Sequence, residues 1–144
     1  MIVYLDASAL VRRYVSEAGS SEVNALLTTV AVAGTSVVSR AEVAAALAKA
    51  VRVGVLSRDE AQSAFQTFTV DWENLARLQM TEVLAARAAA LAWEHGLRGY
   101  DAVHLAAALS WLEMLGEPVL LATFDRQLWQ GAQTAGLTPW PAGV

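Results

Sequence analysis

Two short apolar runs, each stopped by an aspartate, frame the chain. IVYL (2–5) is β-branched and aromatic and ends at Asp6, and PVLLATFD (118–125) ends at Asp125. Unbroken apolar runs of this length, closed by a polar residue, predict short buried strands. Each is followed by a helical pattern: ASALVRRYVSE (7–17), running to Gly19, and RQLWQGAQTAG (126–136). Between them, Ser20 or Ser21 caps a helix through EVNALLTT, and VAVAG (30–34) reads as a second strand. SVVSRAEVAAALAKAVRVG (36–54) is an alanine-rich helix ending at Gly54. SRDEAQSAFQTFTVDWENLA (57–76) opens on a Ser or Asp cap and places Ala61, Ala64, Phe65 and Phe68 at helical spacing, so residues 43–76 are expected to form a helical hairpin. RLQM (77–80) predicts a short strand, and Thr81 opens a helix that ends at Gly96. LRGYDAVHLAAALSWL (97–112) begins the most apolar helix, which reaches Gly116. The tail, residues 136–144, holds two prolines and reads as loop or a last edge segment. Strands alternating with helices predict an α/β sandwich around a mostly parallel sheet, and 144 residues without a tandem repeat predict one domain, 1–144.

Composition narrows this picture. The absence of cysteine excludes disulfides, zinc–thiolate sites and a thiol nucleophile, and fits a reducing, cytoplasmic setting. The N-terminus has no basic leader and no apolar run is long enough to span a membrane, so no membrane role is expected. A hydrophobic content of 56% against 17% charged residues suggests that some apolar surface is covered by a partner or a second copy. The net charge of −4 does not advertise nucleic-acid binding, which would have to rest on local basic patches.

The acids carry the chemistry. Asp6 and Asp125 each follow the C-terminal end of a predicted strand, the edge where ligand sites form in open parallel sheets. Glu42 and Asp101 fall in or near the first turns of predicted helices, where free N–H groups and the helix dipole favour a carboxylate. Taken singly, each has a plain reading: Asp6 and Asp125 as helix caps, Asp101 and Glu42 as first-turn acids. Together, four carboxylates at one sheet edge would repel unless protonated or bound to a cation. Oxygen donors alone select a hard ion such as Mg²⁺ or Mn²⁺, which suits phosphodiester hydrolysis by metal-activated water. His104, one turn past Asp101, reads as a core or groove-lining histidine rather than a general base. Trp93 and Trp111 read as core or dimer interface, Trp72 and Trp140 as exposed.

YLDASALVRRY, SRAE, GYDAVHLAAAL and LLATFDRQL, in this order over residues 2 to 130, resemble the PIN-domain ribonucleases, most closely the VapC-type toxins of toxin–antitoxin pairs. The resemblance implies a PIN-like three-layer sandwich and a Mg²⁺- or Mn²⁺-dependent endoribonuclease that inhibits translation by cutting tRNA, rRNA or mRNA. It implies an acidic pocket of Asp6, Glu42, Asp101 and Asp125, with Asp6, Asp101 and Asp125 the direct metal ligands and Glu42 direct or through water. Ser8 and Thr123 would stand beside it, holding a carboxylate or the attacking water. It further implies a homodimer and a cognate antitoxin lying on the helical hairpin, for which the face of Leu47, Val51, Phe65 and Phe68 is the candidate. Arg13, Arg40 and Arg126, near the acids in sequence, are the candidates for RNA phosphate. Arg40 departs from the aliphatic residue often found two before the acid, and either meets phosphate or pairs with Glu42. The rival is a non-catalytic PIN-like interaction module whose acids cap helices or receive an arginine. A haloacid-dehalogenase phosphatase would need a second Asp two residues after Asp6, where this chain has Ser8.

Overall fold

The computed structural model describes residues 1–144. Five strands, β1 (Ile2–Leu5), β2 (Val32–Ser36), β3 (Ala76–Leu78), β4 (Val119–Ala122) and β5 (Thr138–Trp140), form one sheet in the order β3-β2-β1-β4-β5, with every pairing parallel. The helices are α1 (Ala7–Val11), α2 (Ser20–Leu27), α3 (Ser39–Arg52), α4 (Arg58–Trp72), α5 (Glu82–His95), α6 (Gly99–Leu115) and α7 (Arg126–Thr134). From β1 the chain builds the sheet outward through β2 and β3, then returns to the other side of β1 with β4 and β5. The strand order therefore reverses between β1 and β4, and the crevice at their C-terminal ends is the place where such folds bind ligands.

Alternation along β1 divides the core between the sheet's two faces. Tyr4 packs with α5, α6 and α7, around Leu91, Leu105 and Leu128. Val3 and Leu5 pack with α1 to α4, around Leu10, Val23, Val43 and Phe68. Two apolar layers on one sheet make the three-layer sandwich. Two helix caps are those the sequence offers: Ser57 and Glu60 form a capping box on α4, and the Thr81 hydroxyl accepts from the Leu84 N–H at the start of α5, whereas α2 begins after Gly19 with Ser20 and Ser21 inside it and no side-chain cap. α6 is buried on nearly all sides, which accounts for its lack of a polar stripe.

Several expectations shift. The first helix stops at Val11 rather than continuing through residue 17, because the Arg12 guanidinium donates to the Ser8 and Ala18 carbonyls and folds the segment back toward Gly19 at φ +93°. The second strand lies two residues later than expected, at Val32–Ser36. The tail is a strand: β5 pairs with β4 alone, and Pro139 is tolerated there because an edge position has no second neighbour to receive its missing N–H. Trp72 is buried against Phe68, not exposed, and of the two tryptophans expected in the core or at a dimer interface Trp111 is in the core while Trp93 is 91% exposed. No helix is long and apolar enough to cross a membrane.

Candidate active site

The fold buries six polar or charged residues, and all of them lie around the crevice: Asp6 after β1, Thr35 and Ser36 at the end of β2, Ser39 opening α3, His104 in the second turn of α6, and Thr123 after β4. Burying polar groups costs stability unless each finds a partner, and no buried side-chain nitrogen or oxygen here lacks one. A core that is otherwise apolar concentrates its hydrogen bonding at one sheet edge.

Asp6 is the centre of this network. Its Oδ1 accepts from the Ser8 hydroxyl at 2.7 Å and the Ala9 N–H at 2.9 Å, and its Oδ2 accepts from the Thr123 hydroxyl at 2.6 Å. The same two hydroxyls accept from the Phe124 and Asp125 N–H groups, so Ser8 and Thr123 tie the end of β1 to the end of β4. Burial pushes the Asp6 carboxyl above the usual carboxylate range, and its hydrogen bonds draw it only part of the way back. Asp125 caps α7, its Oδ1 accepting from the Leu128 N–H at 2.9 Å. The capping reading of Asp6 and Asp125 is therefore observed, and both caps stand at the crevice between β1 and β4.

Arg98, immediately before α6, bridges two of the acids. Its Nε donates to Asp101 Oδ2 at 3.0 Å and its Nη2 to Asp125 Oδ2 at 2.7 Å. Asp101 is 13% exposed while the Arg98 side chain is 72% exposed. Burial and the neighbouring Asp125 charge raise the Asp101 carboxyl, and Arg98 offsets this incompletely. Glu42 is engaged elsewhere: its Oε1 lies 2.7 Å from His104 Nε2, and His104 Nδ1 lies 2.7 Å from the Tyr4 hydroxyl.

The four acids thus share one sheet edge, but not as a ready-made ligand sphere, since no three acidic or histidine side chains meet at a point that could hold a metal ion. Donor chemistry nevertheless fits a hard divalent cation. Asp6 has accepted three hydrogen bonds of roughly four that a carboxylate can take, Asp101 Oδ1 and Glu42 Oε2 accept none, and the charge lodged between Asp101 and Asp125 is already a cation, on an exposed side chain.

Of the arginines singled out from sequence, Arg40 and Arg126 are exposed, at the starts of α3 and α7. Glu42 takes His104 as its partner, not Arg40. Arg13 bonds Asn24 at 2.9 Å and lies 3.9 Å from Asp71, engaging none of the four acids. Neither Tyr4 nor Arg98 is among the residues the sequence singles out. The available signals were the placement of Arg98 three residues before Asp101 and that of Tyr4 two residues before Asp6.

A parallel sheet with its acids gathered at the β1/β4 switch point defines the class, and the chain belongs to the PIN domain family, whose model matches residues 3–130. It is similar to Ribonuclease VapC45 of Mycobacterium tuberculosis, 39% identical over 142 residues that span 98% of this chain and 96% of that one. Among solved structures, PAE2754 from Pyrobaculum aerophilum aligns at a TM-score of 0.66 and 21% identity, covering 96% of this chain and 83% of its own. VapBC2 from Rickettsia felis, bound to a DNA fragment from its promoter, aligns at 0.66 and 15% identity, covering 98% and 100%. These two likenesses are of fold.

Proposed function

We propose that this protein is a divalent-metal-dependent endoribonuclease and the toxin of a type II toxin–antitoxin pair, inhibiting translation by cutting tRNA, rRNA or mRNA. The observation that carries this reading is the concentration of every buried polar residue, with Asp6, Glu42, Asp101 and Asp125, at one switch point. The near full-length similarity to a VapC ribonuclease supports it. Asp6, Asp101 and Asp125 would hold Mg²⁺ or Mn²⁺, with Glu42 direct or through water, and the bound ion would lower the pKa of water and offset charge on the phosphoryl oxygens. Ser8 and Thr123 hold Asp6 fixed. Arg40 and Arg126 stand at the rim to meet RNA phosphates, a role for which Arg13 is poorly placed because it is committed to Asn24.

The antitoxin would lie on the hairpin of α3 and α4, where a groove of about 640 Å³ is lined by Leu47, Val51 and Phe65 between Arg52 and Arg58. Phe68, expected on that face, is buried beneath it. A homodimer is proposed on the exposed apolar surface of α5 and α6, which includes Trp93 and Tyr100. The second reading, an interaction module that receives an arginine, draws on the Arg98 bridge, which shows Asp101 and Asp125 accepting a guanidinium.

Antitoxin-free protein incubated with total tRNA and rRNA in Mg²⁺ or Mn²⁺ should give discrete fragments, lost in EDTA and in Asp101→Asn. Intact RNA together with no Mn²⁺ binding would leave the interaction module as the reading.

A further inference from the structure

Tyr4 and His104 are the buried titratable pair for which the proposed chemistry has no use. Both are sealed in the core, His104 at 1% exposure, and the tyrosine ring meets the imidazole edge-on at 5.8 Å. Their polar atoms form a single line: Tyr4 hydroxyl to Nδ1, Nε2 to Glu42 Oε1, each step 2.7 Å. A phenolic hydroxyl carries its hydrogen at neutral pH, and at 2.7 Å from Nδ1 it is placed to donate it there. Nδ1 is then the acceptor and Nε2 the nitrogen that carries a hydrogen, which it donates to the Glu42 carboxylate. The imidazole is fixed in ring orientation and tautomer by a partner 100 residues away in sequence.

We infer that His104, locked by Tyr4, is a positioning residue that pins Glu42 through Oε1 and leaves Oε2 as its one free oxygen facing the pocket. Glu42 is a long side chain in the first turn of α3, with three rotatable bonds and no other hydrogen bond. Unpinned, it would sample many rotamers, and each would have to be lost on binding a cation. The bond from His104 removes that freedom in advance, in the way that hydrogen bonds to metal-ligating carboxylates set their aim. It also ties α3, on one face of the sheet, to α6 on the other. This inference rests on the pocket being a divalent-metal site.

The test is Mn²⁺ binding, followed by electron paramagnetic resonance, in the full-length protein and in His104→Leu, His104→Gln, Tyr4→Phe and Asp101→Asn, with melting curves in EDTA. His104→Leu should weaken Mn²⁺ binding about 10- to 100-fold, the usual effect of losing an outer partner of a ligand. His104→Gln, whose amide can still donate to Glu42, should recover most of it, and Tyr4→Phe should fall between. Long-range nitrogen–proton NMR spectra should show the wild-type His104 with its hydrogen on Nε2. A folded His104→Leu that binds Mn²⁺ like wild type, or a His104→Gln no better than His104→Leu, would overturn the inference. Should His104→Leu fail to fold, undiminished binding by Tyr4→Phe would overturn it. If wild type binds no Mn²⁺, or Asp101→Asn binds it equally well, the metal reading of the pocket fails and the role of His104 falls with it.

Discussion

Replacing Asp101 with Asn should stabilise the metal-free protein while abolishing cleavage. Burial and the Asp125 charge raise the Asp101 carboxyl in the folded chain. The folded state therefore holds that proton more tightly than the unfolded one, and stability falls as pH rises from the ordinary carboxylate range through the raised folded-state pKa. Asp6, raised mainly by its burial, acts in the same direction. At neutral pH the fold carries charges it would be more stable without, and Asn supplies the neutral form of one. The losses are small: the Arg98 pair lies largely in water and is screened, and the interaction of a first-turn carboxylate with the α6 dipole is worth about 0.3–1 kcal/mol. The gain, relief of desolvation and of repulsion from Asp125, exceeds these, because the carboxyl is raised on balance. A net of about 1 kcal/mol lies within the range seen when a strained functional residue is replaced, and would raise Tm by about 2–4 °C in a chain of this size. The assay is thermal melting in EDTA and in saturating Mn²⁺. A bound cation at a hundred times Kd adds about 2.7 kcal/mol to wild type and little to the variant, so the order of Tm should reverse between the two buffers. An Asp101→Asn protein that melts below wild type in EDTA, or that retains the full Mn²⁺ response, would refute the reasoning.

Arg98→Ala should tighten Mn²⁺ binding, since the ion no longer displaces a guanidinium from Asp101 and Asp125; weaker binding by calorimetry would mean that Arg98 helps hold the site together. Arg40→Ala and Arg126→Ala should each lower the slope of log RNA affinity against log salt by about 1, with Arg13→Ala unchanged because it is bound to Asn24; an equal effect at Arg13 would count against the proposed rim. Gly34→Ala would place a Cβ 2.6 Å from the Trp111 ring and 3.1 Å from the Ala76 carbonyl, and should cost about 1–3 kcal/mol. An unchanged urea midpoint would show that Trp111 can move aside.

The sheet and most helices were legible because their signals are local: two apolar runs ending in Asp, caps at Ser57 and Thr81, glycines after α5 and α6. The acids were legible for the same reason, since each follows a strand or opens a helix. What failed depended on contacts between distant segments. Trp72 lies near the polar end of its helix, and only the packing of α4 into the cluster of Leu5, Leu10 and Val43 buries it. Tyr4 reads as one more apolar residue of a strand buried on both faces, and nothing near it in sequence shows that its hydroxyl meets His104. Arg98 looked like one cation among ten, and its distinction comes from the start of α6 lying beside the start of α7.

Asp6 and Asp125 accept the N–H groups that begin α1 and α7, whereas Glu42 and Asp101 are not the caps of their helices. The four acids are therefore unequal as targets of mutation. Loss of Asp6 or Asp125 removes a cap as well as a pocket oxygen, and its damage spreads to the fold and to the amount of protein that accumulates. Loss of Asp101 or Glu42 leaves both caps in place. If the protein is the toxin proposed above, a cell escaping its harm would find its simplest single changes at those two positions, and surveys of naturally inactivated copies should find them altered first.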